Sequence, residues 1–211
     1  MTNKKNKSNV FLALAHVLGN YQGEGLDVDL HLTIQNLNVK IDQHDLQICL
    51  EELVKNAYEG SVESNNRFNI RINMSGDDLL VRVENQGEVD WNKLINSLKN
   101  AYKKGWVIKN DEGEMLVVPE ALRSNQKFID NYIQKNKFTY VTKEEIDSVV
   151  LDNEKLLFMK MLSSKGRSTG NGLAMVSQIL NAVGRTVHIS SVDGYTTASF
   201  RLGIAKAGKN T

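Results

Sequence analysis

The spacing of apolar residues along the chain predicts one leading β-strand followed by two β-hairpins. In five segments apolar and polar positions alternate, which is the pattern of a half-buried strand. These segments are 28–34, 68–74, 79–83, 187–189 and 198–202. Residues 75–78 (Ser-Gly-Asp-Asp) and the pair Asp193-Gly194 have the composition of hairpin turns and join neighbouring segments.

Three other segments have the spacing of amphipathic helices, with apolar residues three or four positions apart. They are 8–19, 45–60 and 173–182, the last of which is expected to end at Gly184. The strongest pattern is that of 45–60, where the apolar stripe consists of Leu46, Cys49, Leu50, Leu53, Val54 and Ala57. Because Cys49 lies on this stripe, we interpret it as a small core residue rather than a nucleophile.

The block 88–157 has a different pattern and predicts a separate set of short elements. The apolar residues from Trp91 to Tyr102 predict an amphipathic helix, and residues 106–118 suggest a small hairpin. Pro119 suits the first turn of a further helix that extends through Ile133. The sequence from Thr142 to Glu145 is a capping box, which predicts a helix start.

The order of the flanking elements predicts the fold class. Strand, helix, two strands, helix and two strands favour an α+β sandwich with an antiparallel or mixed sheet covered by helices on one face. The 88–157 block is then an insertion between the two halves. We expect residues 1–211 to form a single domain that contains this insertion.

Composition limits the classes of partner. The chain has 211 residues, with 26 Lys and Arg against 25 Asp and Glu, and a net charge of +1. This balance gives no reason to expect nucleic acid or an anionic membrane as a partner. No apolar run is long enough to span a bilayer, and a single cysteine fits a reducing compartment. We therefore expect a cytoplasmic protein.

The first candidate for chemistry lies on the 45–60 helix. Glu52, Asn56 and Glu59 lie within about 60° of one another, beside the apolar stripe. A carboxylate can orient or deprotonate a water, and an amide oxygen can bind Mg²⁺. Taken alone, these residues are equally compatible with the solvated side of an amphipathic helix.

The second candidate is the segment 163–173, which ends where the helix 173–182 is expected to begin. Its Gly170-x-Gly172 turn would direct backbone N–H groups outward at a helix N-terminus, and Lys165 and Arg167 precede it. This arrangement could hold a phosphate, although the segment is not a Walker A loop. Taken alone, a flexible connector explains it as well.

The third candidate is the end of the 79–83 strand. Asn85 and Gly87 follow it, and glycine permits a positive φ in a tight turn. A short polar side chain there could bind a ligand, or it could be part of a simple solvent turn.

Taken in order, these motifs resemble the sequence boxes of the GHKL ATPase superfamily, in particular the catalytic ATP-binding domain of bacterial sensor histidine kinases. Residues 52–57 (Glu-Leu-Val-Lys-Asn-Ala) resemble the N box, and 85–87 (Asn-Gln-Gly) the G1 box. Residues 158–165 resemble the F box with its following hydroxyls and lysine, and 168–176 the G2 box. Residues 191–202, which include Thr196, resemble the closing strand pair of the family.

The resemblance implies a Bergerat-type two-layer α/β sandwich, with ATP and Mg²⁺ as ligands. Asn56 would bind Mg²⁺, Glu52 would be the catalytic carboxylate, and Asn85 would face the adenine. The 88–157 insertion would be an enlarged, mostly helical form of the ATP lid. The nucleotide-contacting residues implied are Asn56, Glu59, Asn85, Gly87, Lys165, Arg167, Thr169, Gly170, Gly172, Leu173 and Thr196.

The sequence also departs from the family pattern. The G1 aspartate is replaced by Asn85, which accepts hydrogen bonds without the assistance of a charge. Val89 replaces the second G1 glycine, Ser168 the first G2 glycine, and Asn171 a G2 leucine. These differences predict weakened nucleotide binding.

The resemblance predicts an ATPase domain that hydrolyses ATP slowly or transfers phosphoryl to a partner in trans. About 26 residues precede the first predicted strand, too few for a dimerisation and phosphoacceptor hairpin. The expected partner is therefore a signalling protein, either a histidine phosphoacceptor or a response-regulator-like protein. The alternative is a catalytically inactive pseudokinase or adaptor. A mechanical GHKL ATPase of the gyrase type ranks last, since it needs a further transducer domain.

Overall fold

A computed structural model describes residues 8–21, 27–32, 37–61, 67–159, 162 and 171–205. Its strands are β1 (Ser8–Asn9), β2 (Asp27–Leu32), β3 (Asn38–Val39), β4 (Arg67–Ser75), β5 (Asp78–Gln86), β6 (Val107–Lys109), β7 (Met115–Val117), β8 (Thr139–Tyr140), β9 (Val187–Val192) and β10 (Tyr195–Gly203). Its helices are α1 (Val10–Gly19), α2 (Gln43–Ser61), α3 (Trp91–Lys103), α4 (Gln126–Asn136), α5 (Lys143–Val150), α6 (Asn153–Phe158) and α7 (Gly172–Ala182).

The chain divides into two compact units. The first comprises the described residues up to Val89 and from Met175 onward, and the second is Asp90–Ala174. None of the described helices has both the length and the apolarity needed to cross a bilayer.

The first unit is built on a five-stranded sheet with the order β2-β4-β5-β10-β9. β2 is parallel to β4, and every other neighbouring pair is antiparallel. Helix α2 packs on β4 and β5, and α1 packs on α2. This arrangement confirms the α+β sandwich with a mixed, largely antiparallel sheet.

The core of this unit lies between α2 and the sheet. All six residues of the predicted α2 stripe are buried, and so are the alternate residues Phe68, Ile70, Val81, Val83, Phe200 and Leu202 of the sheet. The thiol of Cys49 is fully buried in this core, and its burial, with a smaller contribution from Asp45, raises its pKa to about 12. A thiol of this kind stays protonated and unreactive, as expected of a core residue.

The turns between strands follow the predicted chemistry. Gly76 has a φ of 62°, and Asp193 and Gly194 have φ values of 53° and 81°. The Asp193-Gly194 turn thus has a positive φ at both central residues, and the Gly76-Asp77 turn has one at the first, which are the two conformations that twisted two-residue hairpins favour. Helix α7 is followed by Gly184 with a φ of 69°, which confirms the predicted end of that helix.

The second unit contains a small sheet of order β7-β6-β8 and its own apolar core. The core residues Ile108, Val118 and Ile129 are buried, and Trp106 and Tyr132 pack against them. The capping box that opens α5 is present as predicted.

The prediction of one continuous helix from Pro119 through Ile133 is wrong in one respect. The chain forms a short 3-10 turn at Glu120–Leu122 and then begins α4 separately. Asn125 is the N-cap of α4, and its side-chain oxygen accepts a hydrogen bond from the Lys127 N–H. The helix therefore starts at this cap, because asparagine is among the strongest N-cap residues.

Candidate functional site

Helix α2 holds Glu52 and Asn56 at the margin of the buried stripe. Both side chains are half-buried, whereas their neighbours Glu51 and Lys55 are exposed. Glu59 is also half-buried, one turn further along. These three residues therefore do not simply form the solvated side of the helix.

The amide of Asn56 is the most unusual polar group on α2. Its Nδ2 atom is buried and has no hydrogen-bond partner among the described residues. A buried amide left in this state costs about 1–3 kcal/mol. An unpartnered donor of this kind calls for a reason, and a bound water or a ligand atom that accepts its hydrogen bond is a common one.

Carboxylates create a negative field at the same helix. The Tyr21 ring packs on Tyr58 with 5.6 Å between ring centroids. Burial raises the pKa of the Tyr21 hydroxyl, and the carboxylates of Glu51, Glu59 and Glu52 raise it further. The negative charges that disfavour a tyrosinate would favour a cation.

The C-terminal end of α2 meets the end of β5. A Cβ atom added at Gly60 would lie 2.7 Å from Nδ2 of Asn85, and one added at Gly87 would lie 3.0 Å from the carbonyl oxygen of Gly60. Asn85 is only 8% exposed. The structure therefore brings the Asn85–Gly87 turn, with its φ of 132° at Gly87, against the helix that bears Glu52 and Asn56.

Hydrogen bonds join this turn to the hairpin formed by β9 and β10. Thr196 Oγ1 donates to the carbonyl of Gly87 over 2.8 Å, and the Gly87 N–H donates to the carbonyl of Gly194 over 2.7 Å. The N–H of Gly194 donates to Glu88 Oε1 over 2.8 Å, and that of Val89 to Ser191 Oγ over 3.0 Å. The turn is thus hydrogen-bonded to residues of both strands of the hairpin and of the loop between them.

Three of these contacts were not anticipated from the sequence. Gly60 contacts the turn but lies outside the N box, and Ser191 and Gly194 lie in the closing hairpin but were not expected to contact the turn. The Asp193-Gly194 dipeptide did predict the hairpin that carries two of them. Only the register of β10 on β5, which pairs Thr196 with Asn85, shows which turn that hairpin reaches.

Of the remaining predicted site residues, the structure describes only some. Gly172 and Leu173 begin α7, as the helix-entry pattern predicted. The predicted phosphate-contacting residues Lys165, Arg167, Thr169 and Gly170 lie outside the described residues.

No family model matches the sequence, and no curated protein is significantly similar to it. Solved structures of histidine kinases are similar to it in fold. The catalytic domain of the histidine kinase ThkA has a TM-score of 0.55 and 14% identity, with 94% of both chains covered. The mycobacterial sensor histidine kinase MprB has a TM-score of 0.57 and 12% identity, with 95% of this chain and 97% of that one covered. The histidine kinase AdeS of Acinetobacter baumannii has a TM-score of 0.51 and 13% identity, with 96% and 70% covered.

The fold is therefore that of these histidine kinase structures. The Bergerat-type sandwich that the sequence motifs implied is confirmed. A shared fold defines the class of architecture, and the chemistry must be argued from the site.

Proposed function

We propose that this protein binds ATP with Mg²⁺ and either hydrolyses it slowly or transfers its γ-phosphoryl group to a partner protein in trans. The observation that carries the proposal is the contact between α2 and the Asn85–Gly87 turn. It places the helix of Glu52 and Asn56 beside the predicted adenine residue, Asn85. Two motifs far apart in the sequence thereby contribute to one region of the first unit.

Asn56 is the proposed residue for Mg²⁺. Magnesium binds oxygen ligands and is often held by one or two protein groups together with substrate phosphates and water. The oxygen Oδ1 of Asn56 is the atom that would bind the ion, and the carboxylates near this helix favour a cation there. When bound, the ion would neutralise charge on the phosphates during transfer.

Glu52 is the proposed catalytic carboxylate. It lies one helical turn before Asn56, so both side chains project from the same margin of α2. In this position the carboxylate would accept a hydrogen bond from the attacking water or histidine and align it with the γ-phosphorus. The phosphate oxygens would be held by Lys165 and Arg167 and by backbone N–H groups of Thr169, Gly170 and Gly172. Leu173 and Glu59 would complete the nucleotide contacts.

Asn85 is the proposed adenine-contacting residue. Its Nδ2 donates to the carbonyl of Gln86 over 3.1 Å, which orients the amide. The oxygen Oδ1 is the end that would accept a hydrogen bond from the adenine amino group. An amide oxygen does this without the charge of the family aspartate, so we expect a lower affinity than an aspartate would give.

The proposal is tested by calorimetric titration of the full chain with ATP and with ADP, in the presence of Mg²⁺. We expect a saturable signal for both nucleotides. If neither binds at millimolar concentration, the proposal is wrong.

The substitution Gly60→Ala tests the contact that carries the proposal. The new Cβ would meet Asn85 Nδ2 at 2.7 Å, so the amide must move. We expect the affinity for ATP to fall about tenfold, because the displaced amide no longer meets the adenine. Gly19→Ala is the matched control, since Gly19 also lies in the last turn of a helix and a Cβ there meets nothing within 4 Å. Equal affinity of both variants and the wild type would show that Asn85 does not contact the nucleotide.

A second candidate function is a nucleotide-binding adaptor that recruits a signalling protein without turnover. The replacement of the G1 aspartate by Asn85 and of a G1 glycine by Val89 favours it. The two functions are separated by measuring phosphate release by protein that is saturated with ATP. Binding without release would favour the adaptor.

A further inference from the structure

The side of the sheet that faces away from α2 carries a separate polar surface. Alternate residues of β4, β5 and β10 point to it, and in register they form three rows across the central strands. The rows are Asn69, Glu84 and Thr197; Arg71, Arg82 and Ser199; and Asn73, Leu80 and Arg201. These side chains are half-buried or exposed, in contrast to the fully buried apolar residues of the opposite side.

Two arginines oppose each other in the middle row. Arg71 on β4 is the register partner of Arg82 on β5, and Arg201 follows two residues beyond Ser199 on β10. Directly opposite Cβ atoms lie about 4.5–5.5 Å apart, where like charges destabilise a sheet. The protein therefore keeps a repulsive pair on an open surface, where a neutral pair would give a more stable sheet.

The arginines of this surface form no ion pair with any described residue. Arg71, Arg82 and Arg201 form no hydrogen bond or ion pair through their side chains with any described residue, and Nε of Arg82 is buried without a partner. Glu84 lies in the next row, but its oxygens accept hydrogen bonds from Asn69 Nδ2 over 3.4 Å and Thr197 Oγ1 over 3.2 Å. The carboxylate is thus satisfied by neutral donors, and no ion pair joins it to an arginine.

We propose that this arginine surface (Arg71, Arg82, Ser199 and Arg201) is a docking site for an acidic segment of a partner protein. Guanidinium groups bind carboxylates through paired hydrogen bonds, and Ser199 adds a neutral donor beside them. An acidic segment laid across the strands would relieve the repulsion between Arg71 and Arg82. The surface lies on the other side of the sheet from α2, so the inference goes beyond the proposed nucleotide site and does not depend on it.

Charge complementarity favours an acidic protein segment over nucleic acid. Proteins that bind duplex DNA neutralise many phosphates along an extended basic track, often about 6–10. Here three arginines are grouped on neighbouring strands, and the whole chain has a net charge of only +1. A short run of carboxylates matches that number of cations better than a polyanionic backbone does.

The test measures binding of a fluorescein-labelled oligoglutamate peptide to the full chain by fluorescence anisotropy. We expect Arg71→Gln/Arg82→Gln to weaken binding by about tenfold or more. Lys99→Gln/Lys103→Gln is the matched control, because it also removes two positive charges, here from exposed positions on α3. We expect it to bind as the wild type does. Equal losses in both variants would indicate unspecific attraction and overturn the proposal.

A second variant covers the case in which the double arginine variant does not fold. Ser199→Glu places a carboxylate opposite Arg82, so the surface carries its own counter-ion. We expect weaker peptide binding together with a higher melting temperature. Undiminished peptide binding by this variant overturns the proposal. So does tighter binding of a single-stranded oligonucleotide of equal charge than of the peptide. The affinity for ADP·Mg²⁺ should be unchanged in these variants, which distinguishes this site from the nucleotide site.

Discussion

Replacing Glu52 by glutamine is expected to lower the rate of ATP hydrolysis or phosphoryl transfer by about 10²–10⁴-fold, the usual contribution of a positioned general base. Glutamine keeps the size of the side chain but neither accepts a proton nor carries a negative charge. Because Glu52 is proposed to contact the nucleophile rather than the nucleotide, the affinity for ADP·Mg²⁺ should change little. The measurement is phosphate release under saturating ATP, with calorimetry for binding.

Glu51→Gln is the control for this substitution. Glu51 precedes Glu52 on the same helix but is exposed, whereas Glu52 is half-buried. Both carboxylates act on Tyr21, so the two variants change the local charge similarly. If Glu51→Gln loses as much activity as Glu52→Gln, the loss comes from removing a negative charge anywhere near this part of the helix. The catalytic role of Glu52 is then refuted.

Replacing Asn56 by alanine is expected to remove the Mg²⁺-dependent part of nucleotide affinity. Interactions of a polar group with a charged partner contribute about 1.5–3 kcal/mol, which corresponds to roughly a 10–150-fold loss. The substitution also removes the buried Nδ2 atom that has no partner in the described part of the chain. We therefore expect the melting temperature without ligand to be retained or slightly raised.

The wild type in excess chelator provides the control for Asn56→Ala. Without Mg²⁺, the variant and the wild type should bind ADP equally, and only the wild type should gain affinity when Mg²⁺ is restored. A variant that keeps the full Mg²⁺ effect would show that Asn56 is not a ligand of the ion. A variant that binds worse even in chelator would assign Asn56 to the nucleotide itself.

The regular elements of the first unit were predictable because local patterns determine them. The α2 stripe and the alternation in β4, β5 and β10 show which side of each element is apolar, and burial of that side is the main driving force of folding. The turns at Gly76 and Asp193-Gly194 were predictable for another reason. Their backbone conformations are readily adopted by few residue types, so composition and geometry are closely linked.

Elements with only a weak pattern in the sequence were harder to predict. The pairing of β1 with β3 joins two segments of two residues each, too short to show alternation. The break before α4 depends on the choice of one N-cap, because an interrupted helix and a continuous one share most of their apolar spacing. Packing of Ile129 into the core of the second unit accompanies the observed start of α4.

The sequence by itself determined the class of fold, through apolar periodicity and turn residues, and it indicated Glu52, Asn56, Asn85 and Gly87 as candidates. Each of these candidates had an ordinary structural explanation when taken alone. Only the tertiary structure decided that Gly60 leaves room for Asn85, that the β9–β10 hairpin holds the turn, and that Arg71 lies opposite Arg82. The physical reason is that such contacts depend on strand register and on how closely a helix approaches a sheet. Register and helix–sheet distance both result from the packing of the whole unit, so neither produces a periodic pattern in the sequence.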